Sequence, residues 1–258
     1  DRVVEGVADG VTVLVGVTDA VTDGVPVLVG VMDATTDHCI AHGRQALALG
    51  AQALVLTAPY YTRTNQAETL DHFRYVRDAV DLPVVAYDIP VCVNIKLARD
   101  TVNTLAREQV VVALKDSSGD EGGFRMLLRD LHDRPDFALF TGSEVVADAA
   151  LLGGAHGIVP GLANVDPQGY VRLYDHARAG RWQEARAEQD RLIRLFQMVF
   201  FAANELSAGA SGVGSFKTAL KLMGLIKSHH MGKPNRPLPP AAVERVRQHL
   251  IEMNLLAA

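Results

Sequence analysis

The sequence predicts an α/β fold: a (β/α)8 barrel of the TIM type followed by a C-terminal helical extension. Three observations carry it. Short runs of Val, Leu and Ile recur along the 258 residues, each followed by a longer stretch with helical spacing. Continuous apolar runs are what parallel strands buried on both faces require. From the second run onward, successive starts lie roughly 20–30 residues apart, the spacing of a βα unit, and many such units favour a closed barrel. After Pro160 the pattern turns wholly helical. The barrel is expected over residues 1–165, with a helical region over 166–258 packed on it.

The first two expected strands, Val11–Val17 and Val25–Val31, sit in a tandem repeat. The stretch from Asp9 to Thr22 returns as Asp23 to Thr36, differing only at Thr12/Pro26, Thr18/Met32 and Val21/Thr35. Parallel neighbours need a crossover of about a dozen residues, and Thr18 to Gly24 supplies seven. Seven strand candidates are visible where a (β/α)8 barrel needs eight. Residues are therefore expected to be missing at the N-terminus and near positions 18–24, in preference to a remodelled first quarter.

Ala53–Thr57 is the next strand. Asn65 and Glu68 have the spacing of a capping box, and Leu70, Phe73, Val76 and Val80 mark one apolar helix stripe. Val84–Tyr87, Val110–Lys115 and Ala138–Thr141 follow as strands, with Ser143 placed to cap a helix carrying Val145, Val146, Ala149 and Leu152. Gly157–Pro160 is the last strand. Helices are expected over Tyr170–Asn204, Phe216–Ile226 and Ala241–Leu255, and Pro237, Pro239 and Pro240 exclude a helix across the last junction. Gly209 to Gly214 follows a helix, so it reads as a flexible connector in preference to a phosphate-binding loop.

The net charge of −5 gives no electrostatic ground for a nucleic-acid or anionic-membrane partner. No apolar run reaches the ~18 residues that span a bilayer. Cys39 and Cys92 are the only cysteines, which fits a reducing compartment. No signal peptide is visible, though a chain that starts at Asp1 leaves room for an upstream segment. A cytoplasmic protein acting on a small molecule is expected.

Lys115 is the most informative residue. It ends the run from Val110 to Leu114, at the mouth of a buried strand, where an ammonium is costly to desolvate. An amine in a low-dielectric site loses its proton more easily and can attack a carbonyl carbon to form an imine. Tyr87 ends the preceding strand and offers a phenol at equivalent height. A lysine and a tyrosine on adjacent strand ends point to Schiff-base chemistry. Asp37, His38 and His42 share a helix face but lack a third ligand, so they read as a solvated face and no metal site is assigned.

Five further segments stand in order. Pro59-Tyr60-Tyr61, Tyr87-Asp88-Ile89-Pro90, Leu114 to Asp120, Thr141-Gly142-Ser143-Glu144 and Gly161 to Val165 together resemble the dihydrodipicolinate synthase and N-acetylneuraminate lyase superfamily of Schiff-base (class I) aldolases. The likeness covers roughly residues 25–226 and includes Lys217 to Lys221. It implies a lyase that needs no cofactor and forms a homo-oligomer, dimer or tetramer. It implies that Lys115 forms the imine, that Tyr87 relays protons, and that Tyr61 reaches across a subunit interface. Gly142, Glu144 and Val159 would line the pocket.

Two departures limit the transfer. The family's Gly-[Ser/Thr]-Thr-Gly-Glu loop, which holds the substrate carboxylate, has only Gly16-Val17-Thr18-Asp19 near its position, leaving Thr18 as the candidate substrate contact. Cys92 stands where dihydrodipicolinate synthases carry a carboxylate-binding arginine, and a thiol cannot replace a fork of charged donors. Pyruvate or a related 2-keto acid is the expected substrate, while true dihydrodipicolinate synthase activity is not expected. The alternatives are a 2-keto-3-deoxy sugar-acid dehydratase or aldolase, and a non-catalytic homologue that binds a metabolite.

Overall fold

A computed structural model describes the backbone of residues 4–8 and 11–15 and the whole of residues 26–257. The chain forms two compact units, one of Asp1–Thr141 with Gly153–His156 and one of Gly142–Leu152 with Gly157–Ala258. These units cut the chain before residue 165, where the sequence-based division falls.

The first unit opens on β1 (Val4–Ala8) and β2 (Val11–Val15), an antiparallel pair with Val4 opposite Val15 and Ala8 opposite Val11. The expectation of a parallel strand over Val11–Val17 is thereby corrected. Asp9-Gly10 separates the two runs. That dipeptide favours two-residue hairpins, whereas a parallel partner needs a long crossover.

From residue 28 the alternation is as expected. In chain order come β3 (Leu28–Gly30), α1 (Thr36–Ala48), β4 (Ala53–Leu56), α2 (Gln66–Ala79) and β5 (Val84–Asp88). Then follow α3 (Pro90–Val93), α4 (Arg99–Arg107), β6 (Ala113–Asp116), α5 (Glu121–Asp130) and β7 (Ala138–Thr141). Strands β3 to β7 pair in sequence order, all parallel. Leu54, Leu56, Ala86 and Leu114 are fully buried. Each such leucine contributes about 1.5–3 kcal/mol relative to an exposed one.

Helix α2 begins as the sequence predicts: the Asn65 side chain accepts from the Glu68 N–H at 2.9 Å, and the Glu68 carboxylate accepts from the Asn65 N–H at 2.9 Å. Its Phe73 and Val76 are buried. Gly43 lets α1 lie close against its neighbours, because a Cβ there would come within 3.0 Å of Val80 and 3.1 Å of Leu54.

The second unit holds α6 (Ala147–Leu152), β8 (Gly157–Ile158), α7 (Pro167–Arg178), α8 (Trp182–Phe196), α9 (Ala208–Leu222) and α10 (Pro240–Glu252). Leu162, Leu173, Leu192, Leu195, Val246 and Leu250 are buried together in its core. Two expectations are corrected here. The helix expected over Tyr170–Asn204 is broken at Gly180, whose φ of +71° suits glycine and ends α7. Gly209 to Gly214 is no connector; it forms the first turns of α9. Small residues serve that helix. Ser211 and Ser215 donate to the carbonyls of Val199 and Met198 at 2.6 and 2.8 Å, and a Cβ on Gly214 would stand 2.5 Å from Leu238.

Candidate active site

Parallel pairing sets Tyr87 directly beside Lys115, and Asp88 beside Asp116. Side chains alternate between the faces of a strand, so Tyr87 and Lys115 share one face and the two aspartates share the other. Phe140 pairs with Lys115 from β7. The Lys115 Nζ stands 4.1 Å from the centroid of the Tyr87 ring. Both residues are partly buried between buried chain neighbours, so the amine stands over the phenol ring at a half-buried strand end.

Tyr87 also lines a cleft of about 370 Å³ with Met32, Thr57, Tyr60, Ile89, Cys92 and Val93. None of these seven residues is an Asp, Glu, Lys, Arg or His. The local backbone explains how they converge. Pro90 starts the one-turn helix α3, and Asn94 ends it at φ +61°. The Asn94 side chain then donates to the Tyr60 carbonyl at 2.9 Å, tying the Tyr60-Tyr61 loop to this turn. Tyr61 itself is 82 % exposed and does not line the cleft.

Thr57 is held from behind by His72. The His72 Nε2 donates to the Thr57 carbonyl at 3.1 Å, and its Nδ1 accepts from the Thr36 hydroxyl at 2.9 Å. Burial pulls the His72 pKa down to about 4 against the opposing Thr57 hydrogen bond, so the ring is neutral near pH 7.

On the opposite face of the sheet the chain returns after α3 to place Lys96 on Asp88, Nζ to Oδ2 at 2.9 Å. Burial raises the Asp88 carboxyl above its usual range, although the Lys96 hydrogen bond opposes this. For Lys96 burial acts downward, but the Asp88 contact outweighs it and the ammonium titrates above its ordinary value.

Of the other sequence candidates, Thr18 lies outside the described residues. Gly142, Glu144 and Val159 belong to the second unit, where Glu144 Oε1 accepts from the Gly161 N–H at 3.0 Å and Val159 is 45 % exposed. His38 and His42 both donate to Asp33, at 3.2 and 2.9 Å, and this pairing, led by His42, lowers the Asp33 carboxyl. Sequence reasoning missed Met32, Thr57, Ile89 and Val93 as cleft residues. Apolar side chains at strand ends look alike whether they fill a core or line an opening.

Fold and site together define a parallel α/β protein with a lysine–tyrosine pair at neighbouring strand ends. The chain belongs to the Dihydrodipicolinate synthetase family, whose sequence profile matches residues 6–252. It is 34 % identical over 207 residues to a 4-hydroxy-tetrahydrodipicolinate synthase of Nitrosospira multiformis, covering 80 % of this chain and 65 % of that one. A second relative of that name, from Phenylobacterium zucineum, is 32 % identical over 62 % of this chain and 54 % of its own length. The chain thus spans under two-thirds of these curated relatives. Among solved structures, dihydrodipicolinate synthase of Thermotoga maritima has a TM-score of 0.83 at 26 % identity, covering 92 % of this chain and 78 % of that one. A prophage protein of this family from E. coli, in complex with pyruvate, gives the same TM-score, identity and coverage. These names give no support to the expectation that synthase activity is absent here. No described helix is long and apolar enough to cross a membrane.

Proposed function

We propose that this protein is a Schiff-base lyase acting on pyruvate or a related 2-keto acid. The observation that carries it is the register of Tyr87 with Lys115, which puts the Lys115 Nζ 4.1 Å from the ring centroid. The neutral amine of Lys115 attacks the ketone carbon, and loss of water leaves a protonated imine. That imine accepts the electron pair released when the adjacent carbon loses a proton. The resulting enamine adds to an aldehyde, and water then frees the product and the amine. The reverse order cleaves a carbon–carbon bond. Tyr87 moves the protons, a role that contributes typically ~10²–10⁴-fold. The lysine itself supplies the electron sink.

The described lining of the cleft, which holds no Asp, Glu, Lys, Arg or His, supports an aldehyde partner without charged groups. A second carboxylate would find no fork of donors at Cys92. By the same reading the parallel sheet belongs to a full (β/α)8 barrel with its helical extension, supported by the similarity to the Thermotoga structure. The exposed Tyr61 is then available to a second copy of the chain in a homo-oligomer.

The test is reductive trapping. After incubation with pyruvate and borohydride, intact-mass spectrometry is expected to find one pyruvyl-sized adduct on the wild type and none on Lys115→Ala. No adduct with pyruvate or with a panel of larger 2-keto acids would leave the non-catalytic reading in its place.

A further inference from the structure

The amine–phenol pair has a buried ionic network directly behind it. Asp88 and Asp116 follow Tyr87 and Lys115 in the chain and pair with each other across β5 and β6. They are 2 % and 6 % exposed. Two carboxylates at neighbouring strand positions repel, and each is costly to desolvate, so the pair calls for a counter-charge.

Lys96 supplies that charge. Its Nζ lies 2.9 Å from Asp88 Oδ2, 3.1 Å from Ser118 Oγ and 3.8 Å from Asp120 Oδ2. The other Asp88 oxygen accepts from the Leu97 N–H at 3.1 Å. Ser118 donates its own N–H to Asp116 Oδ1 at 2.8 Å, while its hydroxyl accepts from the Asp120 N–H at 3.1 Å. Among the described residues Asp116 Oδ2 has no hydrogen-bond partner. Asp116 and Asp120 also act on Glu121, whose carboxyl is raised first by burial and then by these two neighbours. Among the described residues Lys96 is the one cation ion-paired within this group.

We propose that Lys96 is a positioning residue. Through Asp88 and Ser118 it fixes the ends of β5 and β6 against each other, and so holds the Tyr87 ring and the Lys115 amine at their working separation. The link is short on both sides: Asp88 is the residue after Tyr87, and Ser118 is three residues beyond Lys115. This inference rests on the imine reading above.

The experiment follows the rate of pyruvate–borohydride adduct formation in the wild type, Lys96→Met, Lys96→Arg and Asp88→Asn, with circular dichroism to confirm folding. In Lys96→Met the maximum trapping rate is expected to fall roughly tenfold or more, the scale on which small misplacements act. The pyruvate concentration for half-maximal rate should stay within about twofold of wild type, since Lys96 does not touch substrate. Lys96→Arg, which keeps the cation, should recover most of the rate.

A wild-type rate in Lys96→Met overturns the proposal. So does a raised half-saturation with an unchanged maximum, which would make Lys96 a substrate contact, and so does failure of Lys96→Arg to recover the rate. If Lys96→Met does not fold, Asp88→Asn keeps the shape and the Leu97 hydrogen bond while removing the charge, and carries the same expectation. An absent adduct in the wild type would sink the imine reading first and leave Lys96 a structural ion pair.

Discussion

Replacing Tyr87 by Phe leaves the ring over the Lys115 amine and removes only the hydroxyl, so Tyr87→Phe separates packing from proton transfer. Deuterium exchange at the methyl group of pyruvate, read by proton NMR, should slow by ~10²–10⁴-fold in the variant. The borohydride adduct should still accumulate at long times. Exchange at the wild-type rate would remove Tyr87 from the proton path. At this scale the sequence was most legible where a residue type conflicts with its surroundings, as a lysine does at the end of an apolar run. The contact of Lys96 with Asp88 was not legible. It depends on the left-handed turn at Asn94, which brings Lys96, on the connector after α3, back to Asp88 at the end of β5, 8 residues earlier. Cys92 departs from the family pattern in the sequence itself, but its place on a cleft wall is set by the fold.

Among the elements, α2 shows how far local chemistry reaches. Its capping box is readable from two residues, and both hydrogen bonds are present. Asn65→Ala should lower stability by about 1 kcal/mol, seen as a shift of the urea midpoint, while the exposed Glu184→Ala on α8 should shift it by much less. Equal shifts in the two variants would refute the capping argument. Helix α9 marks the opposite case. Glycines at 209, 212 and 214 argue against a helix by propensity, yet Gly214 packs where a Cβ would clash with Leu238, and Ser211 and Ser215 tie the helix to the carbonyls of Val199 and Met198. Tertiary contacts decided the outcome, and a single sequence does not display them. The β1–β2 pair departs from expectation for a simpler reason. The repeat makes Val11–Val17 look like the copy of a buried parallel strand, whereas Val4–Ala8 and Val11–Val15, on either side of Asp9-Gly10 in the sequence, pair antiparallel.

At the scale of the molecule, the order of βα units was legible because strands buried on both faces must be apolar throughout. The division into units was less so, since α6 and β8 belong to the second unit although they continue the βα alternation of the first. One global consequence follows from His72. Its folded pKa, about 4, lies below the ordinary 6.5 because the ring is buried. The unfolded chain therefore binds a proton that the folded chain refuses. The stability tied to the neutral ring is fully present above pH 6.5 and is lost as pH falls through the window down to about 4. That loss is roughly 3 kcal/mol at most. Urea midpoints at pH 7 and pH 4.5 should differ less in His72→Gln than in the wild type. An unchanged difference would show that other groups set the acid limit.

The two cysteines differ in a way that reaches beyond folding. Cys39 is 1 % exposed, and burial lifts its thiol pKa to about 11, whereas Cys92 is exposed on the cleft wall. Thiol-directed reagents therefore have one address in the native chain, beside the candidate catalytic tyrosine. A fluorophore or spin label attached there would report on occupancy of the cleft without any engineered residue. The same accessibility makes the wall of the cleft the place where oxidants and electrophiles would first leave their mark.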